Sequence, residues 1–225
     1  LRSLGADDSL IDDGATGVDT DYFVKRAGEE LPNRESIRRE LGIEGKAVVF
    51  SGALSGRKGI AELIAGLDRL YEEGFDEEVT LVLAGDGPER AALEAWKPQS
   101  EKLKRKLLGF IQMDELPRLY VSGDLFVLPT LEDNWALATL EPILCGTPSL
   151  ISKYNGAASD LVGEGGKVFD PKDAADFARA LREGLAEDSR VSAERSRELA
   201  HFYHPQQQAA RGLRSISAAL KLPNS

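Results

Sequence analysis

From position 47 onward, apolar runs of four or five residues alternate with longer segments whose apolar positions return every three or four residues. The short runs at 47–51, 80–84, 106–110, 125–128, 149–152 and 167–169 predict strands. The longer segments at 60–73, 89–96, 113–122, 137–145, 157–162 and 174–187 predict helices. Strands this uniformly apolar need cover on both faces. Their alternation with helices predicts an α/β fold, a Rossmann-like parallel sheet wrapped by helices on both faces.

The flanks read differently. Residues 1–20 are polar and rich in Gly and Asp, with little core potential. Asn33 is predicted to cap a short helix that ends near Gly42. Segments 191–202 and 205–220 predict two more helices, with Pro205 in the first turn of the second. The expected organisation is a leading piece, 1–20, from a preceding domain or linker, a body over 21–187, and C-terminal helices over 188–225. The chain starts without Met, in what reads as the end of a helix, so a fragment is expected.

Charge narrows the classes of partner. With 28 basic and 38 acidic residues among 225, the net charge is −10. Nucleic acid as the main partner is excluded, because phosphate contacts need a basic surface. The basic cluster at 102–106 (KLKRK) reads as a solvated rim beside a strand at 107–110. Cys145 is the single cysteine, so no intrachain disulfide forms, which suits a reducing compartment. Its apolar neighbours make it a small buried hydrophobe rather than a nucleophile. No apolar run reaches transmembrane length, and the opening LRSLGADDS is no signal peptide. A cytoplasmic location is expected.

Open parallel sheets bind ligands outside the carboxyl ends of their strands. Three such ends are rich in Gly or polar groups. The first, SGALSGRKG at 51–59, has glycines at Gly52 and Gly56 that admit a ligand near the backbone, and Arg57 and Lys58 to neutralise phosphate. It lacks the Gly-Lys-Ser/Thr of a P-loop, and a solvent loop with a capping lysine is an equal reading. The second, GDGPER at 85–90, has Arg90 where a dinucleotide fingerprint needs its third Gly. A tight turn with Pro88 at the first helical position is preferred there.

The third end is LPTLEDNWALATLEPILCGTP at 128–148. It sets Asp133 and Glu141 eight residues apart, where a loop runs into a helix. Carboxylates there can accept sugar hydroxyls, and the backbone N–H groups of a helix start can hold phosphate. Trp135 reads as packing. Asn155-Gly156 reads equally as a turn or as a pair of backbone donors to a ligand. His201 and His204 read as structural, and no metal-ligand set stands out.

In joint order and spacing these motifs resemble the C-terminal, donor-binding domain of GT-B-fold retaining glycosyltransferases of family 4. Gly17–Phe23 is similar to the family's "GVDTDYF", 51–59 to its "G-R-L-x-x-x-K-G" loop, and 83–88 to "V-G-D-G-P". Residues 109–120 are similar to "G-F-x-x-x-x-E-L-P-x-L-Y", Asp133 and Glu141 fall on its E-x7-E, and 145–148 on "A-C-G-T-P". The similarity runs from about residue 1 to about residue 186.

The resemblance implies a nucleotide-diphosphate sugar as donor substrate and no cofactor or metal. It makes Asp133 and Glu141 the catalytic-site acids, as donor ligands rather than a general acid/base pair. Glu141 would accept the ribose hydroxyls, and Asp133, with Glu132 as the alternative, would face the transferred sugar. Lys58 would meet the diphosphate, and the backbone N–H groups of Leu137 and Ala138 the distal phosphate. Gly52 and Arg57 belong to the same phosphate loop. Gly109, Phe110, Ile111 and Gln112 would line the base, largely through backbone groups.

There are three departures from the family pattern. Ala53 stands where the family has a phosphate-binding Arg, which leaves Arg57 to compensate. Asp133 is one methylene shorter than Glu. Pro142 replaces a small residue, so the helix is expected to begin late or kink. The resemblance also implies an N-terminal acceptor-binding domain, of which only 1–17 would remain. The fragment would then be inactive alone, and any peripheral membrane contact would belong to the missing domain. The competing readings are a non-catalytic nucleotide-sugar-binding or scaffold module and, below it, a GT-B-fold epimerase or phosphorylase.

Overall fold

A computed structural model describes residues 18–186 and 190–220. Expectations resting on 1–17, on 187–189 and on the last five residues lie outside the described residues. Six parallel strands form one sheet: β1 (Lys46–Ser51), β2 (Val79–Ala84), β3 (Leu103–Gly109), β4 (Leu125–Leu128), β5 (Ser149–Ser152) and β6 (Gly166–Phe169). Their order is β3-β2-β1-β4-β5-β6. Val49 in β1 stands opposite Val82 in β2 and Phe126 in β4. Every residue of β2, β4 and β5 is buried, as a sheet covered on both faces requires.

The chain builds outward from β1 in one direction and from β4 in the other. Connections after β1 and β4 therefore leave to opposite sides, and a crevice opens at the carboxyl ends of these two strands. On one face lie α3 (Ile60–Glu72) and α8 (Ala174–Ala186). Leu63, Leu67 and Leu70 form the buried stripe of α3. Gly66 lets the two helices close up, since a Cβ there would lie 2.3 Å from the Phe177 ring.

The other face carries α1 (Thr20–Glu30), α2 (Arg34–Leu41), α5 (Leu116–Ser122), α6 (Leu137–Leu144) and α9 (Ala193–Tyr203). Short helices α4 (Arg90–Ala95) and α7 (Ala158–Leu161) follow β2 and β5, and α10 (Pro205–Leu220) follows α9. Thr20 Oγ1 donates to Ala200 O at 2.8 Å, and Ser196 Oγ to Ile143 O at 3.1 Å. These bonds seat α9 on α1 and α6.

The structure departs from the sequence pattern in five places. Helix α1 is not marked by the sequence pattern. Only Thr20, Phe23 and Ala27 of it are buried, a stripe too narrow to give a clear period, although Asp19 caps it by accepting from the Tyr22 amide. Strand β3 begins at Leu103, not 106. The KLKRK cluster is therefore not a rim beside the strand but largely the edge strand itself. Lys104 pairs with Glu44, and charged side chains discourage a further strand from adding there.

Asn33 precedes α2 but makes no side-chain cap, because it closes a 3-10 turn over Leu31–Asn33. Pro88 lies in the turn ahead of α4, which starts two residues later. Helix α6 begins at Leu137 and continues past Pro142, so the proline does not delay it. Position 142 is the sixth of the helix, and the amide it lacks would have bonded the Ala138 carbonyl.

One further cluster fixes the amino ends of the two central strands. Asp124 accepts from Arg34 at 2.6 Å, from Arg38 at 3.0 Å and from the Ala47 amide at 2.7 Å. Burial raises the Asp124 carboxyl, but the Ala47 amide and the two guanidiniums outweigh it and leave the group below its ordinary range.

Candidate functional site

The strand ends at the crevice are stitched together by glycines. The Gly52 amide donates to Ala84 O at 3.0 Å, and the Gly85 amide to Gly109 O at 2.7 Å. Gly85 has φ +143°, and a Cβ there would lie 1.8 Å from Gly52 O. Gly59 has φ +74°, and a Cβ there would lie 1.9 Å from Pro129 O. Loop 51–59 can approach its neighbours only because these positions have no side chain.

A cleft of about 400 Å³ opens beside these glycines. Among the residues that line it are Gly52, Ala53, Phe110, Ile111, Ala138 and Glu141. Segments far apart in sequence thus meet at the switch between β1 and β4. Phe110 lies just past β3 and is 75 % exposed at the cleft. Ala53 is one of the lining residues, so this wall carries no charge where the family pattern has an arginine.

Glu141 is mostly buried in α6, and its Oε2 accepts from the Tyr120 hydroxyl at 2.7 Å. The Tyr120 hydroxyl lies 2.8 Å from Ser51 Oγ. Burial raises the Glu141 carboxyl above its ordinary value, and the Tyr120 hydrogen bond pulls it partly back. Burial and the neighbouring carboxylate together raise the Tyr120 phenol well above its ordinary value. The sequence pattern does not mark Ser51 or Tyr120 as an individual site residue. The Tyr that ends the 109–120 motif is the available signal.

Lys58, Arg57, Glu132 and Asp133 form a second group, in the loops that follow β1 and β4, and are not among the residues lining this cleft. Lys58, on the 3-10 turn Gly56–Lys58, donates to Asp133 Oδ2 at 2.6 Å, and both side chains are largely buried. Arg57 is more exposed. It donates to Glu132 O at 2.9 Å and lies 3.6 Å from Asp133 Oδ2. Glu132 itself is exposed, so Asp133 is the acid that turns inward. Leu137 and Ala138 open α6 between this group and Glu141. First-turn amides have no carbonyl partner within their own helix.

The loop carrying Asp133 is held from β5. The Asp133 amide donates to Tyr154 O at 3.2 Å, and the Gly156 amide donates to Asp133 O at 2.9 Å. Asn155 Oδ1 accepts from the Ala136 and Ala157 amides, both at 3.1 Å. Asn155-Gly156 is thus a turn whose amides are spent inside the fold, not a pair of donors facing a ligand. Trp135 donates to Asp160 at 2.8 Å and packs on Tyr203, which fits its packing role. Cys145 is buried, and burial raises its thiol far above the usual range, so no nucleophile is available there.

His204 accepts from the Gln206 amide at 3.2 Å, and its Nε2 lies 3.5 Å from Asp21. Among the described residues no cluster of three or more His, Cys, Asp or Glu is placed to hold a metal. Among them, too, no helix is long and apolar enough to cross a membrane.

Comparison with known proteins gives a consistent picture. The family model described as glycosyl transferases group 1 matches residues 33–200. A 2-deoxystreptamine glucosyltransferase of Streptomyces kanamyceticus is 29% identical over 198 residues, covering 85% of this chain and 49% of that protein. A D-inositol 3-phosphate glycosyltransferase of Salinispora arenicola is 30% identical over 192 residues, covering 78% and 42%. The structure of an alpha,alpha-trehalose-phosphate synthase (UDP-forming) from Burkholderia vietnamiensis has a TM-score of 0.73 at 19% identity, covering 93% of this chain and 51% of that one. At that identity the likeness shows the fold. The chain spans less than half the length of these two curated relatives.

Proposed function

This chain belongs to the glycosyl transferases group 1 family, and on that premise we propose that its cleft binds the nucleoside diphosphate of a sugar donor. The whole protein would transfer the sugar from that donor to an acceptor, with retention of configuration. The observation that carries this reading is Glu141. It is a mostly buried carboxylate lining a cleft of about 400 Å³ at the topological switch point, one turn into the helix that starts beside Lys58 and Asp133. A carboxylate so placed suits the two adjacent hydroxyls of a ribose, since charge-assisted bonds of this kind are the strong ones.

The phosphates would lie toward Lys58 and the first amides of α6, Leu137 and Ala138. Negative charge gathers on the departing diphosphate as the sugar bond breaks, and a lysine with a helix start favours charge at that place. Asp133, paired with Lys58, would face the transferred sugar. Phe110 and Ile111 would flank the base. Donor and acceptor are substrates, and no further cofactor is invoked. The acceptor would be held by a part of the protein beyond this chain, which by itself would not transfer sugar.

Neutral Ala53 favours a second reading, a nucleotide-sugar-binding or scaffold module without catalysis. Relatives carry names such as UDP-forming and GDP-mannose-dependent, so the base must be found by experiment. Thermal melting with UDP, GDP, ADP and their sugars tests the proposal. A ligand at a hundredfold excess over its dissociation constant stabilises the fold by about 2.7 kcal/mol. A shift with one nucleotide is expected. The absence of a shift with all of them overturns the donor site.

A further inference from the structure

Three groups that line the cleft and touch one another come from three elements. Ser51 ends β1, Tyr120 lies in α5 and Glu141 in α6. Tyr120 and Ser51 are both buried. Counting protons fixes the direction of the chain between them. The Tyr120 hydroxyl has one proton, and an ionised Glu141 Oε2 at 2.7 Å can only accept it. The Ser51 hydroxyl at 2.8 Å must then donate to the Tyr120 oxygen. The relay runs from Ser51 through Tyr120 to Glu141 and commits one side of Oε2. Oε1 and the remaining lone pair of Oε2 are left to other donors.

Packing alone does not explain the hydroxyl. The Tyr120 ring already packs against Phe126, with centroids 5.7 Å apart, and against Phe23 at 6.3 Å. A phenylalanine would keep both contacts. A buried phenol oxygen is instead tolerated because it finds partners, and both of its partners lie on the path to Glu141. A carboxylate on a flexible side chain gains most from such a fixed donor when it must accept two hydroxyls at one set spacing.

We infer that Tyr120, backed by Ser51, is a positioning residue that orients the Glu141 carboxylate for the vicinal hydroxyls of a ribose. The inference rests on the donor reading above. It also makes a claim of its own: the hydroxyl of a residue that need not touch the ligand sets recognition of the sugar ring, and leaves recognition of the phosphates alone.

The test compares one nucleoside diphosphate, whichever of UDP, GDP and ADP binds, with its 2′,3′-dideoxy form by calorimetry. Wild type should prefer the hydroxylated form. In Tyr120→Phe that preference should shrink about tenfold, the scale of one hydrogen bond to a charged group. Affinity for the dideoxy form and for inorganic pyrophosphate should hold, which also reports that the variant is folded. Ser51→Ala should move the preference the same way by a smaller factor. A Tyr120→Phe chain with the wild-type preference, or with equal losses for both nucleotides, overturns the inference. A wild type without any preference removes the ribose reading and this inference together. The first failure leaves the ribose reading standing, so the two are told apart.

Discussion

Lys58 Nζ and Asp133 Oδ2 lie 2.6 Å apart, although 75 residues separate them in the chain. The pair joins the loop after β1 to the loop after β4, across the place where the strand order reverses. Both side chains are largely shielded from water, so each neutralises the other more effectively than a surface pair would. A diphosphate arriving here must share Lys58 with Asp133. Asp133→Asn is therefore expected to strengthen binding of inorganic pyrophosphate several-fold, and to weaken the fold by about 2 kcal/mol through the uncompensated lysine. Calorimetry and melting measure the two effects. Unchanged pyrophosphate affinity would show that Lys58 does not face the phosphates.

The glycine stitching makes a sharper structural claim. Gly85→Ala would drive a Cβ to 1.8 Å from Gly52 O, and Gly59→Ala would bring one to 1.9 Å from Pro129 O. Both contacts are with backbone, which cannot rotate away, and both positions have positive φ. Each substitution should cost at least about 2 kcal/mol in chemical denaturation. Gly28→Ala, where nothing lies within 4 Å of the added atom, is the control and should be near neutral or mildly stabilising.

Acid should separate binding from stability at Glu141. Its carboxyl is raised by burial, so the folded state prefers the protonated form relative to the unfolded chain. This group therefore costs stability while ionised, and the cost is relieved as pH falls through its folded pKa. Affinity for a ribose-bearing nucleotide should run the other way. It should decline as pH falls through the same range, which begins above that of an ordinary carboxylate. Tyr120→Phe removes the hydrogen bond that lowers the Glu141 pKa, and should move the decline to higher pH. Binding constants measured as the pH is lowered from neutral into the acid range check both statements. An affinity that does not change with pH would contradict them.

Much of this architecture is legible in the chain. Four consecutive apolar residues at Leu125–Leu128 announce a buried strand, and Asp133 and Glu141 stand out by their spacing, one before a helix and one within its first turns. What hides is whatever depends on long-range meeting. Ser51 and Tyr120 are 69 positions apart, and nothing local about either says that their hydroxyls share a proton path. The Lys58–Asp133 pair hides for the same reason. Helix α1 hides because Phe23 and Ala27 are nearly all that it buries. The start of β3 hides because an edge strand can carry Lys104 and Arg105 without loss. Asn155 reads as a turn residue, yet its side chain pins the start of α6.

Glu141 as the acceptor for a ribose is the centre of the proposed donor site. Its most direct test is calorimetric titration of wild type and Glu141→Gln with the nucleoside diphosphate that melts the chain at the highest temperature. Glutamine keeps the shape and can still accept from Tyr120, but it carries no charge. Wild type should show saturable one-to-one binding and the variant a loss of about tenfold or more, with pyrophosphate binding unchanged. Equal affinity of the two chains for the nucleotide would contradict this role.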